Sequence, residues 1–338
     1  MAGLCYSEAD AYPWEDIMRR TLLALTGALL LAGWPAAAQE PVPADLAAGA
    51  YTAALDMIAA ARRTGTDTLI LDEMNIPMPD TIWVQCWLTT LPPEIGTLTQ
   101  LRVLDLDECH FTSLPPEIGQ LTQLEELSLA FVPLAALPPE IGRLHNLRVL
   151  NIAYTPLTTL PPEIGQLTRL EYLEANEAHL SHLPPEIGDL TALKRLVLRA
   201  NPLTTLPPEI GQLTNLEELN LWSAPLTALP HSLGQLRALR SLNVGYSRLT
   251  HLPPSLGQLT ALEEWDVYAN PLVFPPPEVM QAGMLPALAY LREYEAQQVR
   301  QTLLLAAAAT GGVAGLLLAG WRWRRSPRKK KGRPPAGA

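Results

Sequence analysis

The chain has 338 residues, of which 33 are proline, 48% are hydrophobic and 17% are charged, with a net charge of −10. Three cysteines exclude both a disulfide-built scaffold and a four-cysteine zinc site. Residues 322–338 hold eight Arg and Lys and no acid, so the rest of the chain is strongly acidic. That excludes nucleic acid as a partner of the body, which would repel a phosphate backbone.

Residues 18–38 have the layout of a secretory leader. Arg19 and Arg20 precede the apolar run Leu22 to Gly33, and Ala36, Ala37 and Ala38 supply a small-residue cleavage pattern. In residues 1–17, Glu8, Asp10, Glu15 and Asp16 place acid where a basic segment belongs. The sequence therefore predicts initiation at Met18 and a signal peptide over 18–38.

The middle of the chain is a repeat. LPPEIG begins at Leu91, Leu114, Leu137, Leu160, Leu183 and Leu206, and the variants LPHSLG and LPPSLG begin at Leu229 and Leu252, always 23 residues apart. Each unit also carries LxxLxL, with units starting at Leu101, Leu124, Leu147, Leu170, Leu193, Leu216, Leu239 and Leu262. The alternation in LxL predicts a short strand with its leucines inward. The paired prolines bar a continuing strand and suit the first positions of a helical turn. One unit cannot bury its leucines alone, so the prediction is a right-handed α/β solenoid, with parallel strands on its concave side.

After the repeats, Thr302 to Gly320 is 19 residues without a charge. At 1.5 Å per residue it measures ~28 Å, near the thickness of a bilayer core. Trp321 and Trp323 follow at once, with the basic tail 322–338 behind them. This pattern predicts a transmembrane helix over 302–321, with the tail on the cytoplasmic side and the body outside. Ala307, Gly311, Gly315 and Ala319 recur every four residues and predict a face through which two such helices dimerise.

The repeat resembles the leucine-rich-repeat family, most closely the LPxxIGxLxxLxxLxL type of Ras-group repeat scaffolds and of the repeat arm of Roco proteins. The resemblance covers roughly residues 45–295. It implies a horseshoe with helical caps: an N-terminal capping helix within 39–66 (Asp45 to Arg63, stopped by Gly65), the solenoid over 67–284, and a C-terminal cap helix over 285–301. The chain departs from the family at the position usually held by a ladder of asparagines. Only Asn201 and Asn270 keep it; Cys109, Val132, Thr155, Ala178, Ala224 and Ser247 stand there in other units, and a continuous ladder is not expected.

No GxxxxGK[ST], GxSxG or HExxH motif occurs, so no catalysis and no cofactor are predicted. Glu177, His179 and His182 share one unit, but solvated loop histidines account for them better than a metal site does. The variable strand positions form the surface on which binding is expected. Its aromatics are Phe131, Tyr154, Tyr172, Trp222, Tyr246 and Tyr268; its amides are Asn151, Asn176, Asn220 and Asn243; and Asp105, Asp107 and Glu108 gather at one end. Such residues suit protein or glycan contacts, although aromatics also favour strands for packing alone. The second residue of successive units alternates in sign from Arg102 and Glu125 through to Arg240 and Glu263, which predicts a charge ladder that fixes stacking register. Cys86 and Cys109, also 23 apart, would sit side by side on adjacent coils, either as a disulfide or as two buried thiols. The expectation is a membrane-anchored extracytoplasmic repeat protein that binds a protein or glycan partner on its concave face. The alternatives are a cytoplasmic Ras-type scaffold or adaptor and a cell-surface adhesin.

Overall fold

The computed structural model describes residues 42–71 and 87–324, with side chains through Ala306. Helix α1 spans Ala44–Thr64 and buries Ala50, Ala54, Ile58 and Ala61, one stripe along its length. Gly65 ends it in the left-handed conformation (φ 67°), donating its N–H to Ala61 O at 2.9 Å. Nine three-residue strands follow: β1 (Thr68–Ile70), β2 (Val103–Asp105), β3 (Glu126–Ser128), β4 (Val149–Asn151), β5 (Tyr172–Glu174), β6 (Arg195–Val197), β7 (Glu218–Asn220), β8 (Ser241–Asn243) and β9 (Glu264–Asp266). They form one parallel sheet in sequence order, and from β2 onward each pairs with the next at an offset of one whole unit, as in Leu104↔Leu127 and Leu127↔Leu150.

The LPPEIG tracts form the opposite side of each coil as five-residue 3-10 turns, of which Pro116–Gln120 is typical. Proline occupies the first turn position, and Ile118 points into the core. The leucines of LxxLxL and the isoleucine of each turn (Leu233 and Leu256 in the last two) make one continuous core from Leu69 to Leu262, most of it fully buried. The glycine of each turn has a steric rather than a conformational reason. A Cβ on Gly142 or Gly165 would stand 2.8 Å from the backbone oxygen of Glu163 or Glu186 on the next coil. Coils therefore meet backbone to backbone along this ridge.

Past each strand from β2 to β9 one residue takes a left-handed backbone without being glycine: Glu108, Phe131, Tyr154, Glu177, Ala200, Ser223, Tyr246 and Ala269, with φ between 48° and 62°. The turn lets the next residue point back into the core. Its strain is offset by a further inter-coil hydrogen bond. Glu108, Phe131, Tyr154, Glu177, Ala200, Ser223 and Tyr246 each donate their N–H to the neighbouring coil, at 2.7–3.0 Å.

Asn201 and Asn270 make isolated rungs rather than a ladder. Buried Asn201 donates to Ala175 O (2.7 Å) and Leu198 O (3.0 Å) and accepts from Leu180 N (2.8 Å). Thr155 substitutes a single bond, Oγ1 to Ile152 O, and the hydroxyl of Ser247 is buried without a partner among the described residues. The alternating charges close as Arg102–Glu125 (3.0 Å), Arg148–Glu171 (2.6 Å), Lys194–Glu171 (2.7 Å) and Arg240–Glu263 (2.9 Å). Burial raises the Glu171 pKa, but the hydrogen bonds from Lys194 and Arg148 outweigh it and hold the carboxyl below the usual range.

Helices α2 (Pro277–Gln281) and α3 (Met284–Arg324) close the array. Ala287 and Leu291 of α3 are buried against the last turn, and Arg292 Nε donates to Gly257 O at 2.6 Å, so α3 takes the place of a further coil. The expected membrane span over 302–321 is overturned. Among the described residues, no helix is long and apolar enough to cross a membrane. In α3 the described side chains give two short apolar runs, Met284 to Leu291 and Leu303 to Ala306, separated by a stretch that carries Arg292, Glu293, Glu295 and Arg300. The single-pass topology, the extracytoplasmic placement of the body, membrane localisation and dimerisation through a membrane helix lose their support with it. Ala307, Gly311, Gly315 and Ala319 lie outside the residues whose side chains are described. The leader over 18–38 and the start at Met18 also lie outside the described residues, and nothing in the structure supports a signal peptide.

Candidate binding face

With the central residue of each strand inward, leucine in β1 to β8 and Trp265 in β9, the residues on either side of it project from the sheet away from the core, and from β2 onward the chain adds a third projecting residue just beyond the strand. The result is three columns that run along the inner face, followed by the left-handed turn residues. Tyr172 lies in the first column. Asp105, Asn151, Asn220 and Asn243 lie in the second, and Asp107, Asn176, Trp222 and Tyr268 in the third. Glu108, Phe131, Tyr154 and Tyr246 are turn residues. The same columns hold Glu126, Glu174, Arg195, Arg199, Glu218, Glu264 and Asp266, which were not singled out from sequence although they occupy the same repeat offsets.

The amides divide into two jobs. Asn151 Oδ1, Asn220 Oδ1 and Asn243 Oδ1 each accept the N–H two residues on, at 3.1–3.2 Å, and Asp105 and Asp266 do the same at 3.1 and 2.8 Å. These side chains close the end of each strand, which is a structural role. Asn176 Oδ1 and Asp107 Oδ1 instead reach the next coil and accept from Arg199 N (2.9 Å) and Ala130 N (2.7 Å).

The centre of the face is internally satisfied. Tyr172 Oη donates to Glu174 Oε2 at 2.6 Å, Asn176 Nδ2 donates to Glu174 Oε1 at 2.7 Å, and Arg195 pairs with Glu218 at 2.7 Å while lying 5.5 Å over the Tyr172 ring. Burial, and then the charge of Glu174, push the Tyr172 pKa upward. Burial, helped by Glu125 and opposed by Arg148, also raises that of Glu126. Toward the N-terminal end Phe131 and Tyr154 stack face to face at 4.3 Å. Toward the C-terminal end Trp222, Tyr246 and Tyr268 form a chain of edge-on contacts at 5.2 and 5.6 Å, with Arg199 5.1 Å over the Trp222 ring. Tyr246 is 53% exposed and Tyr268 69%, far above the rest of the aromatic set on this face.

Cys109 is buried and disulfide-bonded. Cys86 lies outside the described residues, so the pairing of the two remains a proposal. Among the described residues, no group of three or more His, Cys, Asp or Glu converges as metal ligands would.

The family profile described as a leucine-rich repeat region matches residues 126–198 and 184–297, and a second, Leucine Rich Repeat, matches 100–121. No curated relative matches the chain. Among solved structures, the leucine-rich-repeat domain of the type III effector XopL superposes with a TM-score of 0.53 at 25% identity, covering 79% of this chain and 98% of that one. A leucine-rich-repeat protein of Leptospira interrogans is 37% identical (TM-score 0.47), over 59% of this chain and 56% of that one. The Arabidopsis receptor kinase HAESA, solved with the peptide hormone IDA and the co-receptor SERK1, is 25% identical (TM-score 0.48), over 54% of this chain and 36% of that one. The chain thus spans about half of the Leptospira protein and about a third of the plant receptor. With family profiles matching about half of its length, and a nine-stranded parallel solenoid to go with them, the chain belongs to the leucine-rich-repeat family.

Proposed function

We propose that the protein is a non-catalytic repeat scaffold that binds a protein partner on the inner face of its sheet. The observation that carries this reading is the row Trp222–Tyr246–Tyr268, in which Trp222 is half-buried and both tyrosines are exposed. It is set among acids that outnumber the cations of the same columns, on a face that no described element covers. Large aromatics are ordinarily withdrawn from water, and at a protein surface they anchor interfaces. The finer assignment, to the LPxxIGxLxxLxxLxL class of Ras-group scaffolds, is supported by the six LPPEIG copies alone.

A photo-crosslinking amino acid placed at Asn220 on the inner face, and separately at Gln166 on the opposite ridge, tests the reading with the full chain in source extract. The expected result is one crosslinked protein from position 220 and none from 166. Equal labelling from both positions, or labelling from 166 alone, overturns it.

A further inference from the structure

An interior coil is hydrogen-bonded to the coil that follows it, and the last coil has none to follow. In the coil of β5, Ala175 N and Glu177 N donate to Val197 O and Arg199 O of the next coil at 2.9 and 2.8 Å, and Glu171 O accepts from Lys194 N and Arg195 N at 2.8 and 3.1 Å. Val244 N, Tyr246 N and Arg240 O repeat this set toward the coil of β9. In the coil of β9 the equivalent groups are Val267 N, Ala269 N and Glu263 O, and among the described residues none of them has a backbone partner. The closing helices leave this edge open. Helix α3 packs on the turn Pro254–Gln258, while Glu263, Glu264, Tyr268 and Ala269 stay exposed. Trp265 is half-buried, where the central residue of every other strand is buried. The Glu263 side chain is 63% exposed, against 24–34% for Glu125, Glu171 and Glu218 inside the array.

An open edge with its donors and acceptors in register takes an added strand. The acids decide which strand. A second copy would meet the edge antiparallel and set Glu263, Glu264 and Asp266 against the same acids, which is destabilising. The array itself contains the complementary strand. Lys194–Arg195–Leu196–Val197 lies beside Glu217–Glu218–Leu219–Asn220, and the last coil repeats that acidic pair as Glu263–Glu264. Lys194 pairs with Glu171 and Arg195 with Glu218, each at 2.7 Å. Glu171 holds a cation on either side, Arg148 and Lys194; Glu263, among the described residues, holds Arg240 on one side alone. We infer that the free edge of β9 docks an extended segment of the protein partner as a tenth strand, with two successive basic residues beside Glu263 and Glu264. The inference rests on the proposed inner-face binding and names the segment such a partner contributes, since the added strand continues that face past Tyr268.

The probe is a labelled peptide with the sequence of residues 193–200, LKRLVLRA, read by fluorescence anisotropy against the full chain. Two controls accompany it. One is N-methylated at its lysine and first arginine, which removes the two N–H groups that would reach Glu263 O. The other carries glutamate at both of those positions. The expected result is binding of the unmodified peptide and at least tenfold weaker binding of either control. Glu263→Lys combined with Glu264→Lys alters only exposed side chains, so the circular dichroism spectrum should not change. That double variant should bind the basic peptide at least tenfold more weakly and should prefer the glutamate peptide. Three outcomes overturn the added strand: no binding of the unmodified peptide, equal binding of the N-methylated one, or binding indifferent to the double variant. A dimer of the full chain in sedimentation equilibrium that dissociates in the double variant would give the edge to a second copy and also overturn it. None of these results touches the crosslinking contrast between positions 220 and 166, so failure of the edge and failure of inner-face binding are separable.

Discussion

The backbone contact between coils makes a paired prediction with opposite signs. Gly165 sits in the buried ridge, and a Cβ there would lie 2.8 Å from Glu186 O and 3.0 Å from Glu186 Cβ. Ordinary contact begins near 3.4 Å, so Gly165→Ala must open the ridge by about 0.6 Å, and the atoms in the way belong to backbone or sit next to it. Overpacking of this kind costs about 1–3 kcal/mol. The stiffer unfolded chain returns about 0.4–1 kcal/mol, for a net loss of roughly 1–2 kcal/mol. Gly49 lies inside α1 with nothing within 4 Å of its Cβ position, so Gly49→Ala should gain about 0.5–1 kcal/mol from helix propensity. Urea denaturation followed by circular dichroism, comparing transition midpoints, is the assay. A midpoint for Gly165→Ala at or above that of the unmodified chain would refute the steric account of the repeat glycine. A fall for Gly49→Ala would show that the contrast does not come from the neighbouring atoms.

Other expectations follow from single contacts. Asn201→Ala strands the N–H of Leu180 and the carbonyl of Ala175 in the core and should cost about 2–3 kcal/mol in denaturant titration; Asn270→Ala, at a less buried site, should cost less. Ser247→Ala removes a buried hydroxyl without a partner among the described residues, and its melting temperature should hold or rise. Because the pKa of Glu171 is lowered in the folded protein, its contribution is present above the usual carboxylate pKa of about 4.3 and is lost as pH falls through the folded value. Glu171→Gln should therefore lower stability by about 0.5–1 kcal/mol near pH 7, and the loss should shrink as the pH is lowered below the usual carboxylate range, as read by denaturation midpoints along the pH series.

The period, the inward leucines and the parallel pairing were legible because a solenoid writes each coil into the sequence at the same offset: Leu104, Leu127 and Leu150 are neighbours in space for that reason alone. What the residue types concealed was use. Asn151, Asn220 and Asn243 look like binding groups by composition, yet each spends its carbonyl oxygen on its own strand end. The left-handed turns carried no glycine signal, since Phe131, Tyr154 and Tyr246 hold positions that local propensity would give to glycine or asparagine. The span expected over 302–321 came from hydropathy counted along the chain, which does not weigh the charged first half of the helix that enters it.

The alternating charges give the array a parity. Each coil touches only the coil before and after it, so a whole 23-residue unit can be removed without disturbing the leucine core or the end caps. Excising one unit, however, brings like beside like: without the unit that starts at Leu124, Arg102 faces Arg148. Excising two restores the alternation, since Arg102 then meets Glu171. Shortened or lengthened versions of this protein should accordingly tolerate changes in steps of 46 residues better than in steps of 23, and natural variation in its length should show the same evenness.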